Sequence, residues 1–95
     1  MQFHMIAGGP KPVAPFSHAV ETDGFVFITG QMPDTPETPG VLPEGIEAQT
    51  RAVMNNLRIV LRGLNLDLEH VAMSRVYLTR FKEDYATMNE TYRQF

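Results

Sequence analysis

Residues 22–33 read Thr-Asp-Gly-Phe-Val-Phe-Ile-Thr-Gly-Gln-Met-Pro, and this stretch decides the fold of the chain. An Asp-Gly pair between two extended runs is a strong signal for a β-hairpin. We therefore predict strands over residues 17–21 and 25–29, joined through residues 22–24. Residues 25–28 are all aromatic or branched, which predicts a strand covered on both faces. The weak alternation of residues 1–6 predicts a short edge strand before the hairpin.

Two helices and a further strand are predicted after the hairpin. Residues 32–43 contain four prolines, which exclude a helix or an inner strand, and loops this long are usually functional or disordered. Apolar residues at helical spacing predict a helix over residues 44–61, with Gly63 placed for a left-handed C-terminal cap. Residues 71–79 alternate like a strand, and residues 82–94 predict a second helix with its aromatic side chains in one arc. The order of elements indicates an α+β domain.

The composition excludes several classes of protein. With 95 residues the chain forms at most one domain, and a core this small usually needs a metal or an oligomer. Eight lysine and arginine residues against eleven aspartate and glutamate residues give a net charge of −3, which argues against a nucleic-acid or anionic-membrane partner. There is no cysteine and no apolar run of about 20 residues, so we expect a cytoplasmic protein that does not cross a membrane.

Arginines 51, 58 and 62 lie opposite the apolar stripe of the first helix, and we interpret them as a solvated face. The three histidines match no metal-ligand spacing. We interpret His18 as a half-exposed strand residue, although its strand position could also face a cleft, and His70 as a solvated turn residue.

Two polar features are candidates for ligand binding. Thr29, Gly30 and Gln31 follow a buried strand, where a glycine allows a ligand to approach the backbone and the two side chains supply hydrogen-bonding groups. The alternative is a strand end closed by a turn. Asn89 lies at the edge of the apolar arc of the second helix, where its amide must find partners. The alternative there is a hydrogen bond to a nearby loop.

Four segments in unbroken order carry a resemblance to a known family. They are residues 12–20, Pro-Val-Ala-Pro-Phe-Ser-His-Ala-Val; residues 27–33, Phe-Ile-Thr-Gly-Gln-Met-Pro; residues 48–57, Ala-Gln-Thr-Arg-Ala-Val-Met-Asn-Asn-Leu; and residues 85–95, Tyr-Ala-Thr-Met-Asn-Glu-Thr-Tyr-Arg-Gln-Phe. Together they resemble the Rid family of reactive-intermediate deaminases, also called the YjgF family. The resemblance implies a chorismate-mutase-like fold, in which a mixed β-sheet carries two helices on one face. It also implies homotrimers with sites between subunits, and hydrolysis of 2-imino acids to 2-keto acids and ammonia without a cofactor.

The resemblance also implies a set of substrate-binding residues, which are Phe16, Thr29, Gly30, Gln31 and Asn89. Gly30 would offer its backbone N–H to a small carboxylate substrate, and Thr29 stands where the family often has a serine. Asn89 matches an asparagine that lines the family's cleft. Phe16 stands where imine-hydrolysing members commonly have a tyrosine, so the ring is kept and the phenolic hydroxyl is not.

The departures from the family pattern leave the function open. The family continues into a segment of the type Pro-Ala-Arg and final strands, whose arginine grips the substrate carboxylate and whose glutamate positions water; residues 1–95 contain neither. We expect residues 1–95 to be a single domain of this type, incomplete at its C-terminus, and a hydrolase if the full-length chain supplies those residues. The alternative is a non-enzymatic member that binds a small molecule or a protein, which Phe16 favours. A third alternative, an RNA-cleaving or translation-inhibiting protein, is disfavoured by the net charge of −3.

Overall fold

The predicted hairpin supplies two of the three strands of an antiparallel sheet. The computed structural model describes residues 1–12 and 14–95, so that Val13, in the first segment of the resemblance, lies outside the described residues. The strands are β1 (Gln2–His4), β2 (Ala19–Thr22) and β3 (Phe25–Ile28), and they lie in that order. Both pairs are antiparallel, and Val20 of β2 is the register partner of Phe3 in β1 and of Phe27 in β3. The prediction of an edge strand followed by a hairpin is confirmed.

The turn between β2 and β3 has the backbone geometry that its sequence predicts. The φ angle is 52° at Asp23 and 81° at Gly24. Two consecutive positive φ angles define a type I′ turn, whose twist matches that of the flanking strands. Aspartate tolerates this conformation and glycine adopts it without steric cost, so these two residues fix the register of the hairpin.

The two faces of the sheet differ in exposure. Ala19 is fully buried on the face that lies toward the helices. On the other face, Phe25 and Phe27 are 65% and 61% exposed, and Phe3 is similarly exposed beside them. The prediction that β3 is covered on both faces is therefore wrong for the described residues, because none of them covers the face that carries Phe25 and Phe27.

Helix α1 (Ile46–Gly63) closely matches the predicted span, but its C-terminus differs from the prediction. Asn65, with φ of 61°, is the left-handed residue. Its N–H donates to the carbonyl of Arg62 at 3.1 Å, and the N–H of Leu66 donates to the carbonyl of Leu61 at 2.9 Å. These two bonds form a Schellman motif, so the prediction of a left-handed cap at Gly63 is wrong.

Gly63 is instead a packing position. A Cβ built on it would lie 3.1 Å from Cδ1 of Ile6 and would overlap Cγ2 of the same side chain. Because glycine has no Cβ, the segment after β1 can pack directly on the last turn of α1. This contact joins the sheet to the helix layer.

The structure describes residues 71–79, but they do not form the predicted strand. This segment follows a short 3₁₀ turn (Leu68–His70), in which His70 is exposed as predicted, and it has no ladder partner. Its side chains are correspondingly accessible, with Tyr77 85% exposed. The alternating pattern is present, but a strand also needs a hydrogen-bonded neighbour, and the sheet ends at β3. The three strands that do form are therefore all antiparallel.

Helix α2 (Phe81–Tyr92) matches the predicted second helix and packs against α1. Its Tyr92 hydroxyl lies 2.8 Å from Oγ of Ser74, which ties the extended segment to the helix. No helix within residues 1–12 and 14–95 is long and apolar enough to cross a bilayer.

The arginine face of α1 is only partly solvated. Arg51 pairs with Glu47 at 3.2 Å and donates to Oε1 of Gln94 at 2.8 Å. The guanidinium carbon of Arg58 lies 5.4 Å from the centroid of the Phe95 ring, within range of a cation–π contact. The residues that follow α2 therefore cover part of the face that was predicted to be free.

Asp67 provides a pH-dependent contribution to stability. The backbone N–H of Leu68 lowers the pKa of Asp67; desolvation opposes this shift, whereas the nearby Arg62 and Arg58 reinforce it. A carboxyl group whose pKa is lower in the folded state stabilises that state above its unfolded pKa, and this contribution is lost as the pH falls through the folded pKa.

We therefore expect Asp67→Asn to flatten the loss of stability below about pH 5, since the asparagine oxygen can still accept from Leu68 but no longer titrates. The measurement is the urea midpoint as a function of pH. Glu69→Gln, two residues away on the exposed turn, is the control and should keep the wild-type slope. Equal acid slopes for the wild type and Asp67→Asn would contradict the assignment.

Candidate functional site

A small cleft opens where the end of β3 meets the loop between β1 and β2. Four of the five residues predicted to bind substrate line it, namely Phe16, Thr29, Gly30 and Gln31. Its internal volume is about 30 Å³, which is room for about two water molecules but not for an organic acid.

The backbone after β3 presents an unused donor to this cleft. The Gly30 N–H has no hydrogen-bond partner among the described residues, and a Cβ at Gly30 would meet nothing within 4 Å. The Thr29 hydroxyl donates to the carbonyl of Ser17 at 2.5 Å, and Nε2 of Gln31 donates to the carbonyl of Thr29 at 2.8 Å. A ligand could therefore approach the Gly30 amide closely, whereas the proton of the Thr29 hydroxyl is already engaged by Ser17.

Phe16 and Asn89, the two predicted residues not yet described in detail, differ in their placement. The Phe16 ring is part of the cleft wall and remains partly exposed. Asn89 lies half-buried on α2, outside the cleft lining. Its side chain makes no hydrogen bond within the part of the chain that the structure describes, and so the alternative of a bond to a nearby loop is not realised there.

His18 is a cleft residue that the sequence analysis underestimated. It is only 5% exposed, so the interpretation of a half-exposed strand residue is wrong. Its Nδ1 accepts from the N–H of Ile6 at 2.8 Å, and its Nε2 lies 2.6 Å from the carbonyl of Pro10. The ring thereby fastens the end of β1 and the following loop to the start of β2.

Asp34 and Asn56 are the second feature that the sequence analysis missed. Asp34 is buried beside the cleft, and its Oδ2 accepts from the N–H of Gly40 at 2.8 Å. Asn56, 2% exposed on α1, donates to the carbonyls of Met32 at 3.0 Å and Asp34 at 2.5 Å. These bonds hold the proline-rich loop against α1. A usable signal was the position of Asn56 on the apolar side of the helix, between Val53 and Val60.

The polar groups of the cleft fit a small anionic or polar ligand. Lys11 and Asp34 line it together with the Gly30 amide, and they supply one cation, one carboxylate and one backbone donor. Within the described residues, no group of three or more histidine, aspartate or glutamate side chains could hold a metal ion.

The comparison with known sequences identifies the family. The profile of the Endoribonuclease L-PSP family matches residues 7–95. This chain belongs to the L-PSP family. A RutC family protein of Pyrococcus horikoshii is 37% identical over 86 residues, which cover 90% of this chain and 68% of the relative. The L-PSP family includes the YjgF, RutC and Rid proteins, so the resemblance carried by the four segments is confirmed.

Solved structures confirm the fold of this L-PSP family chain. The YjgF gene product of E. coli is 26% identical with a TM-score of 0.85, and the match covers 97% of this chain and 72% of that one. TdcF of E. coli, solved with bound serine, is 25% identical with a TM-score of 0.78, and the match likewise covers 97% and 72%. The predicted α+β architecture of the YjgF type, with a sheet and two helices, is therefore confirmed, although the sheet within the described residues is antiparallel and not the mixed sheet that was predicted.

Proposed function

We propose that this L-PSP family protein hydrolyses small 2-imino acids, or their enamine tautomers, to 2-keto acids and ammonia. The observation that carries the proposal is the single cleft that gathers Phe16, Thr29, Gly30 and Gln31 with a cation and a carboxylate. An imino acid needs a positive group for its carboxylate, polar groups around the imine and an oriented water. The bound serine in TdcF, a related protein, supports a ligand of this size and class.

The proposed roles follow from the chemistry of each group. Lys11 and the Gly30 N–H bind the substrate carboxylate, and the Phe16 ring packs against its side chain. Asp34, whose Oδ1 has no hydrogen-bond partner among the described residues, accepts a bond from the attacking water. The water oxygen bonds to the imine carbon while one of its protons passes to nitrogen, which gives a carbinolamine. The hydroxyl proton of the carbinolamine then passes to the amino nitrogen as the carbon–nitrogen bond breaks, and the keto acid and ammonia are released. No cofactor is needed for this sequence.

We also propose that the site is completed by oligomerisation. One chain encloses about 30 Å³, which is too small for the substrate. The exposed aromatic face formed by Phe3, Phe25 and Phe27 is the kind of apolar patch that marks an interface between proteins. A homotrimer formed through this face, with neighbouring subunits closing each cleft, would bury the patch. Asn89 remains a proposed substrate-binding residue.

The expectations on domain organisation, cellular location and type of partner are also proposals. We propose that residues 1–95 belong to a single L-PSP domain, and that the protein acts in the cytoplasm. The net charge of −3 supports a small-molecule partner over a nucleic acid.

The experiment adds the purified protein to threonine dehydratase and threonine and follows the release of 2-ketobutanoate. We expect release to be faster than with the dehydratase alone, because the protein removes the imine before it hydrolyses spontaneously. No acceleration at any protein concentration would refute the hydrolase proposal.

A non-enzymatic binding protein is the second candidate, and one observation favours it. Phe16 brings no hydroxyl to the cleft, and both ring nitrogens of His18 are occupied by backbone groups. Binding of 2-ketobutanoate without acceleration of keto acid release would support this candidate instead.

Lys11→Gln should separate binding from turnover. We expect KM for the imine to rise about tenfold with kcat little changed, since a charge-assisted contact to a carboxylate contributes about 1.5–3 kcal/mol and Lys11 is solvent-exposed. Lys82→Gln is the matched control, because Lys82 is exposed on α2 and does not line the cleft. The role of Lys11 fails if both variants keep the wild-type KM.

A further inference from the structure

The hydrogen bonds of His18 fix its tautomer. The N–H of Ile6 is a donor, so Nδ1 must be the unprotonated nitrogen that accepts from it at 2.8 Å. The carbonyl of Pro10 is an acceptor, so Nε2 must carry the proton and donate to it at 2.6 Å. A neutral ring with its proton on Nε2 satisfies both backbone groups, and no other state of the ring does.

The same ring sets the position of one wall of the cleft. Its two backbone partners lie at either end of residues 6–10, a tight turn in which the N–H of Gly9 donates to the carbonyl of Ile6 at 3.0 Å. The next residues along the chain, Lys11 and Pro12, line the cleft. A Cβ on Gly9 would lie 3.0 Å from Cε1 of His18, so the turn packs tightly against the ring.

The backbone of His18 is fixed independently of the ring. Its N–H donates to the carbonyl of His4 at 3.0 Å, and its carbonyl accepts from the N–H of Thr29 at 3.1 Å. Residue 18 therefore stays in the sheet whatever the charge of its side chain, and only the loop that the ring holds is free to respond to a change of charge.

We propose that His18 is a positioning residue that holds both ends of the turn before Lys11 while its ring is neutral, and that frees the Ile6 end of this turn when the ring is protonated. Protonation would place an N–H on Nδ1 directly against the N–H of Ile6, so the bond from Ile6 must break, whereas Nε2 keeps its proton and its bond to Pro10. The proposal concerns the loop itself; its effect on substrate binding rests on the proposed function.

The charged groups around the ring define what a protonated His18 would meet. Lys11 and Asp34 line the same cleft, and Lys11 would repel the imidazolium while Asp34 would attract it. On β1 the titratable neighbour is His4, whose Nε2 lies 3.1 Å from Oε1 of Glu21. These neighbours set the charge that a protonated ring would meet, while the loss of the Ile6 bond follows from the ring itself.

The direct test is amide hydrogen exchange in the full chain at about pH 8 and pH 5, the interval in which histidine side chains change charge. We expect the protection factor of the Ile6 amide, corrected for intrinsic exchange, to fall about three- to tenfold at the lower pH, the value of one net hydrogen bond. His18→Gln should keep the protection at both pH values, because its amide offers one acceptor and one donor and does not titrate. His18→Ala should lack this protection of the Ile6 amide at both pH values, and His4→Gln should behave as the wild type.

Activity provides the second readout. In the wild type, KM for the imine should rise between about pH 8 and pH 5 with kcat less affected, and His18→Gln should remove that rise. An Ile6 amide whose protection is the same at both pH values in the wild type, or a nitrogen NMR spectrum with the proton on Nδ1, would overturn the proposal. If the wild type hydrolyses no imine, the proposed function fails, and the exchange measurement still decides the role of His18.

Discussion

Asn56→Ala is expected to lower the free energy of unfolding by about 2–4 kcal/mol. The substitution removes the donors from the carbonyls of Met32 and Asp34, of which the bond to Asp34 is buried and the bond to Met32 is partly buried. A buried acceptor left without a partner costs about 1–3 kcal/mol, and the loss of a partly buried hydrogen bond adds about 0.5–1.5 kcal/mol. Small domains are stable by only about 5–15 kcal/mol, so this single change removes a large share of the total.

The measurement is urea unfolding, where the midpoint should fall while the dependence on urea stays constant. Asn55→Ala is the matched control, because Asn55 is exposed at the adjacent position and should change the stability by less than about 0.5 kcal/mol. Asn56→Asp keeps the shape but cannot donate when ionised, so it should be at least as destabilising as alanine. Equal midpoints for Asn56→Ala and Asn55→Ala would show that the loop is held by other contacts.

Gly63→Ala is expected to destabilise the protein by about 0.5–2 kcal/mol, although alanine is the better helix former. Helix propensity alone predicts a gain of about 0.5–1 kcal/mol at this position in α1. The added Cβ, however, would overlap the side chain of Ile6, and overpacking a tight contact costs about 1–3 kcal/mol. The sign of the effect therefore reports whether the contact between the sheet and α1 is as close as described.

The double variant with Ile6→Ala tests the same contact from its other side. Removing the isoleucine side chain makes room for the new Cβ, so the double variant should be more stable than the sum of the single changes predicts. Gly30→Ala is the matched control for the glycine substitution, because the new Cβ there meets nothing within 4 Å. A stabilising Gly63→Ala would mean that Ile6 does not pack on this turn.

The elements that were predicted correctly depend on local signals. The turn at Asp23 and Gly24 requires two positive φ angles, and the sequence supplies the two residue types that adopt them most readily. The helices follow from apolar spacing. Three of the proposed site residues share a cleft because they directly follow β3, and Phe16 joins them because it precedes β2, the strand that pairs with β3.

The features that were missed depend on contacts between distant parts of the chain. His18 is buried because it bonds backbone groups at Ile6 and Pro10, and no side-chain pattern encodes those partners. Gly63 resembles a helix cap in sequence, but its role is set by a residue 57 positions earlier. Residues 71–79 carry the alternation of a strand, yet alternation specifies only faces and does not supply a neighbouring strand.

The segment over residues 71–79, which pairs with no strand among the described residues, affects the behaviour of the protein in concentrated solution. Its backbone groups lack ladder partners, and the apolar side chains of Met73, Val76 and Tyr77 are exposed along it. Such a segment is a template on which strands from other molecules can stack and aggregate. Arg75 lies within it and Arg80 directly follows it, and these two charges oppose such stacking. We therefore expect Arg75 and Arg80 to limit aggregation through this exposed segment in concentrated solution.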